Sequence, residues 1–151
     1  MKICFAASSG GHLEQIMMLY PMMTKYTSFI LTEKTNYQPS LKDVNVYRVV
    51  QINRREFLFP FKAIILFFQT LRVFLKEKPD VIISTGALAT LPICLLAKIK
   101  RKKLIFIESF AKISSPTITG KIVYKFADLF LVQWDEIKKH YPGAVNGGGI
   151  Y

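Results

Sequence analysis

KICFAASSGGHLEQ, residues 2–15, starts as an apolar run, turns on two serines and two glycines, and goes on as a helical pattern. Strand, glycine turn and helix in that order open a βαβ unit, and a strand apolar at every position belongs in a parallel sheet covered on both faces. The pattern recurs downstream. TSFILT at 27–32, VNVYRVV at 44–50, DVIIST at 80–85, KLIFIE at 103–108 and DLFLVQ at 128–133 read as five more strands. Helices are expected at about 12–24, 60–77, 90–99, 117–126 and 134–141, as right-handed crossovers between strands. The whole chain, 1–151, therefore reads as one α/β domain, a Rossmann-like doubly wound parallel sheet. Its 151 residues leave room for one core, and no linker, repeat or low-complexity tract divides them.

Composition narrows the partners. Hydrophobic residues make up 51% of the chain and the mean hydropathy is +0.27, which excludes a disordered protein and implies that some apolar surface stays exposed. Lys and Arg number 21 against 10 Asp and Glu, a formal net charge of +11. Such a surface favours an anionic partner: phospholipid, nucleic acid or a phosphorylated substrate. Cys4 and Cys94 lie inside apolar runs and read as small buried hydrophobes, as expected in a reducing cytosol. Residues 57–75 form the longest apolar stretch, but Lys62, Gln69 and Arg72 interrupt it, so a bilayer-spanning helix is disfavoured. No signal peptide is expected at the N-terminus, and a cytoplasmic location follows.

In a doubly wound sheet, ligands gather at the carboxyl ends of strands. Four segments fall there: Ser8-Ser9-Gly10-Gly11-His12, Ser84-Thr85-Gly86-Ala87, Glu108-Ser109-Phe110-Ala111 and Gln133-Trp134-Asp135. The first has glycines that let backbone approach a phosphate or sugar, with Ser8 or Ser9 as the expected helix cap. A third glycine of the dinucleotide fingerprint is missing, since Leu13 stands there, although Glu33 lies where a ribose-binding acid is expected. His12, expected to be exposed on the first helical turn, and Glu108, at the mouth of a buried strand, are the catalytic base candidates. Ser8, Ser9, Gly10, Gly11, Gly86 and Ser109 are the candidate substrate contacts. Equally, the glycines can serve turn geometry alone, His12 can be an ordinary polar residue and Glu108 a local cap.

EFLFPFKAIILFFQTLRVFLKEK, residues 56–78, is the oddest feature. On a helical wheel Lys62, Gln69, Arg72 and Lys76 fall within roughly 80°, opposite a broad apolar face. Part of that face must pack on the sheet. The remainder, with Phe61, Phe67 and Phe68 dipping into the acyl boundary and Arg54, Arg55 and Arg72 meeting anionic headgroups, reads as a membrane-binding surface. A crossover helix sandwiched against a partner protein is the competing explanation. KIKRKK at 98–103 is a second basic cluster, expected on the opposite edge from the ligand loops. No nucleic-acid-binding motif and no metal-ligand spacing are present, so nucleic acid, metal and cofactor are not expected.

SSGGHLEQ, PDVIISTGALATLPIC, IFIESFAKISSPTITGKIVYKFADLFLVQW and YPGAVNGGGIY together resemble one subunit of a two-part glycosyltransferase. It is the acceptor-side, membrane-anchoring subunit of the enzyme that adds the second N-acetylglucosamine to dolichol-diphosphate oligosaccharide. Bacterial relatives work in capsular and exopolysaccharide synthesis. The resemblance covers essentially the whole chain and implies the N-terminal half of a GT-B fold, similar to the first half of the enzyme that makes the lipid-linked peptidoglycan disaccharide. It further implies a peripheral protein on the cytoplasmic face of the membrane that binds a polyprenyl-diphosphate-sugar acceptor. A donor-binding glycosyltransferase subunit would bring the UDP-sugar, and the heterodimer would be an inverting hexosyltransferase in which this chain is a subunit or enhancer, inactive alone. The chain's end at GGGIY is expected to mark where that partner takes over, and the lack of an N-terminal anchor shifts membrane attachment to 57–78. Two other classes remain open: a stand-alone nucleotide-binding enzyme using the SSGGH loop and Glu33, and a pure membrane scaffold.

Overall fold

The computed structural model describes residues 1–36, 41 and 43–150. Seven strands form one parallel sheet: β1 Lys2–Ala6, β2 Thr27–Glu33, β3 Asn45–Val49, β4 Val81–Ser84, β5 Lys103–Ile107, β6 Leu129–Val132 and β7 Val145–Asn146. Their order across the sheet is β3-β2-β1-β4-β5-β6-β7. Cys4 pairs with Phe29 on one side and Ile82 on the other, so β1 lies at the centre, where the winding reverses direction.

Strand side chains alternate between two cores, as the pleat requires. Cys4, Ala6, Phe29 and Leu31 face one side with Leu66, Phe74, Ile93 and Val123. That side is covered by α3 Phe59–Glu77, α4 Leu91–Ile99 and α5 Ile118–Val123. Ile3, Phe5 and Ile30 face the other side with Leu13, Ile16 and Met23, from α1 Gly11–Met17 and α2 Tyr20–Met23. Burial on both faces is why the strands read as continuous apolar runs.

Three departures from the sequence reading have local causes. The helix expected over 12–24 is two, because Pro21 has no N–H to donate and sits instead in the first turn of α2. The segment expected as a helix at 134–141 closes into a 3₁₀ turn over Glu136–His140. β7 lies in the glycine-rich stretch where no strand is expected from the sequence and pairs with β6 through Leu131 and Val132. By contrast α3 runs almost as expected and stops at Lys78, which turns left-handed ahead of Pro79.

Candidate functional site at the sheet's switch point

Because β1 and β4 are neighbours at the point of reversal, the loops that follow them touch. Ser8 N–H donates to Gly86 O at 3.1 Å, and Thr85 Oγ1 donates to His12 O at 2.8 Å. His12 Nδ1 lies 2.6 Å from Thr85 O. A carbonyl can only accept, so Nδ1 carries a proton, and of the two neutral tautomers this contact selects the one with its lone pair on Nε2. Gly86 packs beneath the imidazole with φ +87, and a Cβ there would sit 3.5 Å from His12 Cε1. Glycine serves both the left-handed backbone and the close ring contact. His12 is thus half-buried and held in one orientation, rather than free on the first turn as expected.

The serines act differently from the sequence expectation. Gly10, with φ +74, occupies the cap position of α1, and no side chain caps the helix. Ser9 instead donates from N–H and Oγ to Glu33 Oε2, at 3.1 and 3.2 Å, while Ile52 N–H donates to Glu33 Oε1 at 3.1 Å. Glu33 is buried. Its carboxylate ties the glycine loop to the segment entering α3, each oxygen accepting from the fold itself rather than standing open as a ribose-binding acid would.

Glu108 departs further from its expected role. It is 1% exposed. Oε1 accepts from Ser109 N–H and Thr117 Oγ1, each at 2.9 Å; Oε2 accepts from Tyr141 Oη at 2.6 Å and Thr117 N–H at 3.3 Å. Burial first, then the neighbouring carboxylate, raises the Tyr141 phenol well above its ordinary pKa, so it stays a donor. Gly120 closes the cage: any Cβ there would collide with Glu108 Oε2, Tyr141 Oη and Thr117 Oγ1. A carboxylate so enclosed does not reach an acceptor hydroxyl. It positions the 108–120 loop, and Ser109 is held by its backbone on that loop. Thr117, Gly120 and Tyr141 were not singled out from sequence, although the Thr at the start of TITG matches a helix N-cap, and Thr117 Oγ1 does accept from Gly120 N–H at 2.8 Å. Trp134 packs on the same loop, its ring centroid 4.9 Å from that of Phe110 and its Nε1 donating to Phe110 O at 2.7 Å.

The segment 50–58 runs over the same carboxyl edge and delivers α3. The helix buries a seam of Leu66, Thr70 and Phe74 and turns its opposite face outward. Phe57 is 94% exposed, Phe61 67% and Phe68 62%, with Leu58, Ile64, Ile65 and Leu75 also exposed. Arg54, Arg55, Phe67 and Arg72 are exposed too. The other polar side chains of the helix make contacts along its flank: Lys62 pairs with Glu56, Gln69 Oε1 accepts from Val50 N–H at 2.7 Å, and Lys76 Nζ sits 5.1 Å from the Tyr47 ring centroid. Lys62 and Lys76 are therefore engaged within the fold. Among the described residues no helix is long and apolar enough to cross a membrane. At the opposite sheet edge, the 98–103 cluster is partly neutralised by Lys102–Asp80 and Lys103–Asp128 pairs.

Known structures define the class. MurG from Acinetobacter baumannii superposes with TM-score 0.65 at 16% identity, covering 87% of this chain and 41% of its own. UDP-N-acetylglucosamine 2-epimerase from Rickettsia bellii superposes with TM-score 0.75 at 12% identity, covering 99% of this chain and 45% of its own. The fold is thus Rossmann-like and matches the N-terminal domain of GT-B proteins such as these.

Within that class the chain belongs to the family described as "Oligosaccharide biosynthesis protein Alg14 like", whose profile matches residues 23–150. The UDP-N-acetylglucosamine transferase subunit ALG14 of Homo sapiens is 32% identical over 81 residues, 50% of this chain and 38% of the human one. Its Schizosaccharomyces pombe counterpart is 39% identical over 71 residues, 44% of this chain and 34% of its own. The matched region is thus under two fifths of either relative.

Proposed function

We propose that this chain is the acceptor-side subunit of a two-component glycosyltransferase, resting on a membrane and presenting a lipid-diphosphate-linked sugar to a separate chain that holds the UDP-sugar. The observation that carries this reading is the outward apolar face of α3, rimmed by Arg54, Arg55 and Arg72, which begins on the same sheet edge as the His12 loop. Aromatic side chains flanked by cations suit the headgroup and acyl boundary of an anionic bilayer. The names of the relatives, subunits of a UDP-N-acetylglucosamine transferase, support the division of labour. In this reading the protein is peripheral on the cytoplasmic face. A bacterial setting in capsular or exopolysaccharide synthesis, with a polyprenyl-diphosphate acceptor, rests on the motif resemblance alone; both relatives compared above are eukaryotic.

His12 Nε2 is the base in this scheme. It takes the proton of the acceptor hydroxyl as that oxygen bonds the anomeric carbon and the carbon–oxygen bond to UDP breaks, with inversion. Ser8, Gly10, Gly11 and Gly86 shape the loops that face the acceptor, and Glu33 and Glu108 hold those loops in place. That both carboxylates are internally committed also favours the scaffold reading, in which this chain supplies no reacting group. His12→Ala in the reconstituted pair separates the two. A base's loss lowers turnover by about 10²–10⁴-fold with complex formation intact; an unchanged rate leaves only the scaffold.

A further inference from the structure

Between the His12 loop and the exposed start of α3 lies a cavity of about 330 Å³, at the small end of the ~300–1,000 Å³ typical of ligand sites. Arg54, Ala87, Leu88, Lys112, Thr117 and Thr119 line it. Arg54 comes from the segment entering α3, Lys112 from the loop after β5, and Ala87 directly follows the glycine under the imidazole. Neither cation has a carboxylate partner among the described residues. The nearby carboxylates Glu33 and Glu108 are occupied elsewhere. Thr119 is 4% exposed, and its hydroxyl has no hydrogen-bond partner among the described residues.

We infer that this cavity seats a diphosphate, with Arg54 and Lys112 closing on it from two different loops and Thr119 donating from within. Two unpaired cations on separate segments, with the hydroxyl of a largely buried threonine in the same lining, match a group carrying several acceptor oxygens and at least two negative charges. The placement also orders the ligand. A sugar attached at one end extends toward His12 and Gly86, and a hydrocarbon chain at the other extends toward Phe57 and Phe61, three and seven residues beyond Arg54. The inference rests on the acceptor-subunit reading for its source, since a nucleotide such as UDP carries the same chemistry.

The test uses the purified full chain with separate probes. Inorganic pyrophosphate, titrated by amide NMR, should shift Ala87, Leu88, Thr117 and Thr119. Arg54→Ala with Lys112→Ala should weaken that binding at least tenfold, and Arg54→Lys with Lys112→Arg should restore most of it. Neutral phosphatidylcholine vesicles doped with undecaprenyl diphosphate should bind the wild type better than undoped ones, and the double alanine variant should lose that gain. Melting temperature checks that each variant is folded. Equimolar phosphatidylcholine and phosphatidylglycerol vesicles report on membrane attachment separately. If the wild type binds these vesicles but neither diphosphate probe binds at the cavity, the inference fails and the acceptor-subunit reading stands. UDP binding there more tightly than the lipid diphosphate would overturn the assignment to the acceptor.

Discussion

Replacing Phe61 and Phe68 together by Glu should detach the protein from anionic membranes without unfolding it. Both side chains point away from the sheet, at 67% and 62% exposure, and neither belongs to either core cluster. Full burial of a Phe contributes about 1.5–3 kcal/mol, so moving the exposed two thirds of both rings out of water is worth about 2–4 kcal/mol. Two carboxylates facing an anionic surface add repulsion of about 1 kcal/mol each. The sum, about 4–6 kcal/mol, corresponds to vesicle binding weaker by roughly three to four powers of ten. Cosedimentation with equimolar phosphatidylcholine and phosphatidylglycerol vesicles reads it directly, and the melting temperature should stay within about 2 °C. A folded double variant that sediments as the wild type does would refute the assignment of this face to lipid and leave a protein partner as its cover.

Two further outcomes test the scaffold behind the site. Gly120→Ala forces a methyl into the Glu108 cage, so we expect a loss of about 3 kcal/mol or more and a melting temperature lower by about 6–12 °C; an unchanged melting temperature would mean that the cage yields easily. Acid should also loosen the fold in a defined window. The Leu104 N–H above all, then Lys103, lowers the Asp128 pKa, and Tyr47, then Lys2, lowers that of Glu77. Depressed carboxylate values stabilise the fold above their unfolded range of about 4 and cease to do so as pH falls through the folded values. The melting temperature should thus hold from pH 7 to about 5 and drop below about 4, with a shallower drop in Asp128→Asn; an equal drop in that variant would remove Asp128 from the account.

The sheet was legible because its strands are covered on both faces, which forces uninterrupted apolar runs such as KICFAA and KLIFI. β7 was not, since two residues among glycines carry no such pattern, and its place is set by pairing with β6. The loops of the site were legible from glycine and hydroxyl residues at strand ends. The roles of their carboxylates were not: Glu33 and Glu108 look alike as acids at strand ends, and only Ile52, Thr117 and Tyr141, up to 33 residues away, reveal both as braces. The broad apolar arc of α3 was visible in its periodicity. Which part of it the sheet would cover was not, because the seam Leu66–Thr70–Phe74 contains a buried threonine and leaves most of the phenylalanines outside.

The most direct measurement is glycosyl transfer from UDP-sugars, UDP-N-acetylglucosamine among them, to a membrane lipid extract. This chain and a donor-binding glycosyltransferase chain would be assayed together and each alone. We expect transfer only with both present and on a membrane. Turnover of a water-soluble acceptor by this chain unaided, with no gain from vesicles or a second chain, would contradict its assignment as an acceptor half.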